Sequence, residues 1–250
     1  MLDMEKICTF VANASKSNFL REISLVGNLW EYPGYADLLN RLTGMGFRVL
    51  VYMTAVDFLN HKQKAYAWEQ KGIGFMILVV GKADESVFRN DRLPDKEAYT
   101  FIITSVEEYE KALKCTERYQ LKGAEMVPVY NGNNLPFFKE YIYLNREEIG
   151  KIALSKREIF THQALNVYSF GNFSVLPDGS VYANLNLPPV GNISEPPHDI
   201  VYREMSGGKS WFRVRDQEPC SSCVNQWLCP SPSNYEFVIG KPNLCHLDNH

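Results

Sequence analysis

Five short apolar runs recur between residues 20 and 130, and they narrow the first half of this 250-residue chain to one kind of fold. They occupy residues 22–26 (Glu22-Ile23-Ser24-Leu25-Val26), 47–53, 74–80, 99–104 and 125–129. Runs that are apolar at nearly every position suit strands buried on both faces of a parallel sheet, whose crossover helices cover both sides. The segments between them carry helix punctuation. Ser105-Val106-Glu107-Glu108 predicts a capping box, with Val106, Tyr109, Leu113 and Tyr119 on the packed face of the helix that follows. Gly44 and Gly46 close a helix starting near Pro33-Gly34, and Gly72 and Gly74 close the one before the third run. Pro128 cannot donate to a ladder, which weakens the fifth run as a strand. Five strands with right-handed crossovers make an open sheet or a partial barrel, and are too few for a closed eight-stranded one.

Past residue 165 the texture turns to Gly, Pro, Asn and Ser. A hairpin is expected around Pro177-Asp178-Gly179, then loop material, then a helix near residues 200–205. So little regular apolar pattern does not make a core unaided. Cys220, Cys223, Cys229 and Cys245, spaced Cys-x2-Cys-x5-Cys-x15-Cys, offer the missing organisation, because four thiolates complete a shell around zinc or a [4Fe–4S] cube. Metal binding free energy then becomes folding free energy. Residue types leave cube, zinc and disulfides open; zinc draws its sulfurs to within about 4 Å of one another, and a cube holds them further apart. A cube with four thiolates has no open iron position, which leaves outer-sphere electron transfer or a structural role. His246 is expected to face solvent beside Cys245, and Cys8 and Cys115 to be small buried hydrophobes.

Composition removes several function classes. The net charge is −3 and the Lys and Arg are scattered, so nothing resembles the basic stripe of a nucleic-acid binder. The longest apolar run, 75–80, is far too short to cross a bilayer. The mixed charge of the first six residues argues against a secretory signal. A chain this long needs no disulfide staples, so a reducing cytoplasm is expected, with proteins or peptides as partners. The five histidines suggest no catalytic constellation, and the glycines match no phosphate-binding fingerprint.

The two halves together resemble the C-terminal portion of a radical S-adenosylmethionine (SAM) peptide-maturing enzyme with an auxiliary-cluster domain of the SPASM type. The resemblance is carried by Pro177-Asp178-Gly179-Ser180-Val181-Tyr182, Gly191-Asn192-Ile193, Trp211-Phe212-Arg213 and the Cys220-x2-Cys223-x5-Cys229 run, in that order. It implies a partial (β/α) barrel over residues 1–160 and a SPASM-like module over 161–250. It further implies one [4Fe–4S] cluster on Cys220, Cys223, Cys229 and Cys245, with zinc as the alternative. The second cluster of such domains is implied to be lost, since Asn184 and Ser233 stand where two of its cysteines belong. The Cys-x3-Cys-x2-Cys motif of a SAM cluster is missing, Gly27-Asn28-Leu29-Trp30-Glu31 replaces the Gly-Gly-Glu motif, and Met53-Thr54-Ala55 replaces a Thr-Asn-Gly-like strand end. Bound SAM and radical initiation are therefore not expected. The chain is most similar to the pseudo-radical-SAM/SPASM proteins that accompany radical SAM peptide maturases in ribosomal-peptide modification systems of Bacteroidales. That likeness implies a non-catalytic accessory whose partners are a maturase and a precursor peptide, with a role in electron relay or docking. The alternatives are an autonomous redox enzyme or a zinc-stabilised peptide-binding module.

Overall fold

The computed structural model describes residues 2–16, 20–81, 87–88, 99–121 and 123–246. They sort into two compact units, Val11–Asn131 and Gly132–His250, the latter joined by Met1–Phe10.

The first unit is an α/β sheet domain. Strands β1 (Glu22–Val26), β2 (Arg48–Thr54), β3 (Gly74–Val80), β4 (Tyr99–Ile103) and β5 (Glu125–Pro128) form one parallel sheet in the order β1-β2-β3-β4-β5. Each strand pairs with the next in sequence, so the sheet is wound in one direction throughout and has no point at which strand order reverses. Helices α2 (Tyr35–Gly44), α3 (Ala55–Glu69) and α4 (Val106–Tyr119) make three of the crossovers. The inner strand β2 is buried at Val49, Leu50 and Val51, that is, on both faces, whereas the edge strand β1 has no buried residue. Leu39 and Leu42 of α2, Phe58 of α3, and Val49, Val51 and Ile77 of the sheet are fully buried as the core. Pro128 closes the last rung of β5, an edge strand, where its missing N–H interrupts no ladder on the outer side.

Local chemistry explains the helix starts. Thr54 ends β2 and caps α3, its hydroxyl accepting from Asp57 N (3.1 Å) and donating to Asp57 Oδ2 (2.7 Å). Ser105 Oγ accepts from Glu108 N as expected, but the Glu108 carboxylate reaches one residue further back, to Thr104 N and Thr104 Oγ1 (both 2.7 Å). On α4, Val106, Tyr109 and Tyr119 are half-buried as expected, whereas Leu113 is exposed and Ala112 is the buried residue, with Cys115 and Thr116 half-buried beside it. Tyrosine bodies and a threonine methyl supply apolar area that a hydropathy pattern undercounts. Trp30 is packed in the loop after β1, stacked on His61 and Phe75 and meeting Tyr35 edge-on.

The second unit is loop-rich. It holds short helices α5 (Leu135–Tyr141), α6 (Arg146–Lys151) and α7 (Lys156–Ala164), then a small antiparallel sheet of β6 (Ser174–Val175), β7 (Ser180–Tyr182) and β8 (Gly191–Asn192), then α8 (Pro197–Gly207) and α9 (Asn234–Ile239). The β6–β7 hairpin turns at Gly179, whose φ of +88° is one that side-chain-bearing residues avoid. One apolar cluster of this unit joins Val181, Ile193 and Ile200, with Leu2, Ile7 and Phe10 of the N-terminal segment packed against them, and Phe137, Phe138, Tyr143, Ile149 and Trp211 are buried elsewhere in it. Helix α1 (Met4–Ser15) carries Ile7 and Phe10. Among the described residues, no helix is long and apolar enough to cross a membrane.

Candidate metal centre

Successive tight turns bring three of the four tail cysteines together. Cys220 N donates to Gln217 O (2.9 Å), Cys223 N to Cys220 O (3.1 Å), Gln226 N to Cys223 O (3.0 Å) and Cys229 N to Asn225 O (3.2 Å). A chain folding back on itself every three or four residues keeps its thiols on one side of a compact loop. The fourth cysteine arrives from elsewhere. After α9 ends at Gly240, the chain pairs with residue 144 in an isolated parallel bridge. Leu144 N donates to Leu244 O (3.0 Å) and His246 N to Leu144 O (2.9 Å), which fixes Cys245 between two anchored residues.

Cys220, Cys223, Cys229 and Cys245 all line one cavity of about 30 Å³, with Leu144, Arg215, Pro219, Gln226, Asn243 and Leu244 as the remaining wall. Cys220 is buried and the other three are half-buried. None of the six cysteines of the chain is in a disulfide. Among the described residues, no group of three or more His, Cys, Asp or Glu side chains is placed as the shell of one metal ion.

Two side chains donate to the sulfurs: Asn243 Nδ2 to Cys245 Sγ (3.1 Å) and Arg215 Nη1 to Cys220 Sγ (3.8 Å). Arg215 is held in place by Pro230 O on Nε (2.6 Å) and Glu236 Oε1 on Nη1 (2.9 Å), and its own carbonyl accepts from the Gln226 amide. Glu236 is buried and takes Arg213 on its other oxygen (3.3 Å). It also caps α9, accepting from Ser233 N, so one carboxylate fixes two guanidiniums and a helix start. Arg213 lies over the Phe237 ring, 3.8 Å from its centre.

Electrostatics follow from this packing. Burial pushes the Cys229 thiol from 9.0 up to about 11, against the pull of Arg215 and with further pushes from Cys245, Cys223 and Cys220. Burial likewise raises Cys220, again opposed by Arg215. Cys229 thus senses Cys245, Cys223 and Cys220, and Cys220 senses Cys245, as groups around one space do. Without a metal the two are protonated at neutral pH, so a metal has to displace their protons on binding.

The expectation that His246 faces solvent is met in part: the ring is exposed, yet its Nε2 lies 2.6 Å from Lys139 O. Cys8 is buried as expected, whereas Cys115 is only half-buried. Arg215, Glu236, Asn243 and Leu144 escape a reading by spacing. Only the Ser233-to-Glu236 interval advertises itself, as a capping pattern. No protein-family model matches the chain, and no curated protein or solved structure matches it.

Proposed function

We propose that this chain is a non-catalytic accessory of radical-SAM-dependent peptide modification, its second unit holding a [4Fe–4S] cluster on Cys220, Cys223, Cys229 and Cys245. The observation that carries the proposal is the common cavity: cysteines from a turn-rich loop and from a tail pinned 16 or more residues later meet around one space. The donor set fits the group. Four thiols and two N–H donors aimed at sulfur, one of them the cationic Arg215, suit an anionic metal–sulfur centre. Zinc would draw the four sulfurs to within about 4 Å and a cube takes the same ligands at wider spacing, so metal and sulfide analysis separates the two.

Further support comes from the positions read as vestiges of a second cluster. Asn184 Nδ2 donates to Asn234 Oδ1 (2.6 Å), next to Ser233, so residues 184 and 233 lie close together across 49 positions of sequence. A polar bond stands where thiolates are implied in the family. The one-directional winding of the sheet suits a partial (β/α) barrel of the radical SAM kind. The strand ends that would hold SAM are taken up locally: Thr54 caps α3, and residues 29–31 form a single 3-10 turn. A centre built from thiols suits a reducing cytoplasm, where they stay available to a metal.

When bound, the cluster supplies one-electron transfer without an open iron site. The protein's part is to hold four thiolates, donate N–H groups to sulfur and limit water. The test pairs two measurements on anaerobically prepared protein. Single Cys→Ser changes at 220, 223, 229 and 245 each abolish the cluster's visible absorption, while Cys8→Ser and Cys115→Ser retain it. Added to a radical SAM maturase and its precursor peptide, the loaded chain raises the yield of modified peptide; SAM cleavage by the chain alone would contradict the accessory role. Stoichiometric zinc in place of iron would overturn the relay and leave a structural module.

A further inference from the structure

We propose that Arg215 is the positioning residue of the cysteine centre, setting its reduction potential by placing one buried positive charge and one N–H donor against Cys220. The inference rests on the cluster reading above and deepens it. The Arg213, Arg215 and Glu236 side chains are 19 %, 10 % and 3 % exposed. Two guanidiniums share one carboxylate, which leaves a surplus of one positive charge in a buried setting.

Such a surplus is costly unless an anion faces it. The groups facing Arg215 are Glu236, the Cys220 and Cys229 thiols, Arg213 and Tyr168. With Glu236 shared between both guanidiniums, the side of Arg215 that faces Cys220 Sγ (3.8 Å) is where an anionic centre held by the cysteines would supply the balancing charge.

The orientation of the guanidinium is over-determined. Nε is committed to Pro230 O, Nη1 is shared between Glu236 Oε1 and Cys220 Sγ, and the backbone of Arg215 is tied to Gln226 within the cysteine loop. A cation fixed in this way favours whichever state of the centre is more negative. Adding one electron creates that state, so Arg215 raises the potential and Glu236 moderates the effect. Asn243, donating to Cys245 Sγ, adds a neutral dipole of the same sense.

The experiment is an electrode-poised redox titration, followed by electron paramagnetic resonance, on the full reconstituted chain, with iron and sulfide counted in every sample. Arg215→Gln is expected to shift the equilibrium at least tenfold toward the oxidised state, about 59 mV for a one-electron couple. Arg215→Lys keeps the charge and is expected to retain most of the wild-type potential. Glu236→Gln preserves shape and capping while freeing the cation, and is expected to shift the potential the opposite way. A merely structural role does not produce shifts of opposite sign. Should Arg215→Gln fail to fold, the direction of the Glu236→Gln shift decides. Unshifted variants with full iron and sulfide overturn this inference alone; a wild-type chain that takes up no iron and sulfide overturns it together with the cluster reading.

Discussion

The two units reach order by different means. The sheet unit rests on buried area: fully enclosed aliphatic and aromatic side chains on β2, β3, α2 and α3, and backbone hydrogen bonds satisfied within ladders. The second unit buries fewer apolar side chains, among them Phe138, Ile149 and Ile200, and adds a dense set of directed polar contacts. Of the seven buried polar or charged residues among those described, Asn166, Asn184, Glu204, Ser210, Ser231 and Glu236 belong to it and only Thr100 to the sheet. Asn166 is representative, since its amide donates to Arg213 O (3.1 Å) and Pro232 O (2.8 Å) and its carbonyl oxygen accepts from Tyr168 N and Ser169 N (both 3.1 Å). One side chain thereby ties three loops. Area tolerates local change, whereas a polar network fails when a member is lost, because the partners left behind are buried. A metal centre, if bound as proposed, would add folding free energy to such a network.

Losing the centre should separate the units most clearly. Replacing Cys220 and Cys223 with Ser is expected to remove several kcal/mol from the second unit, on the scale of metal-coupled folding. Amide hydrogen exchange should then accelerate across residues 210–246 and hold steady in β2 and β3; uniform acceleration would mean that both units depend on the centre alike. In the sheet unit, Phe58→Ala removes a fully buried ring and should cost about 3–5 kcal/mol by denaturant unfolding. Iron content should be unchanged by it.

Polar substitutions test the same contrast at smaller size. Glu204 is buried and accepts from Ser210 N and Trp211 N (both 2.9 Å), and a Cβ on Gly208 would run into its carboxyl group. Glu204→Ala should cost about 3 kcal/mol by stranding two donors, measured as a lowered midpoint of the second unit. Thr100 Oγ1, buried without a hydrogen bond, predicts the reverse: Thr100→Val should be neutral or stabilise by up to about 1 kcal/mol.

The pH dependence of the metal-free chain has a defined sign. Cys229 titrates from 9.0 to about 11 on folding, so its contribution is fully present below pH 9.0 and is lost as pH rises toward about 11. The unfolding midpoint of metal-free protein should fall across that window, and a rise would contradict the burial of this thiol. Metal uptake runs the other way, accelerating with pH as thiolate becomes available.

How legible each unit is in the sequence follows from the same contrast. All five strands fall within a residue or two of their apolar runs, because burial on both faces writes itself directly into hydropathy. The hairpin at Gly179 and the helix over 200–205 are equally readable, the latter extending to Pro197–Gly207. Helices α5 to α7 have 7, 6 and 9 residues, too short for a 3.6-residue period to declare itself, although Asn145 and Ser155 cap two of them with Glu148 and Glu158. At the candidate centre the thiols are visible from spacing alone. Their setting is not: the pairing of Leu144 with the cysteine tail spans about 100 residues, and Arg215 gains its role from a carboxylate 21 positions away. Nonlocal contacts of this kind leave no periodic trace.

The central claim is that four cysteines enclose one iron–sulfur centre. Elemental and acid-labile sulfide analysis of the full chain, purified without exposure to oxygen, tests it most directly. About four iron and four sulfide per chain are predicted, lost together in Cys229→Ser. One zinc per chain, or iron and sulfide that persist in Cys229→Ser, would contradict it.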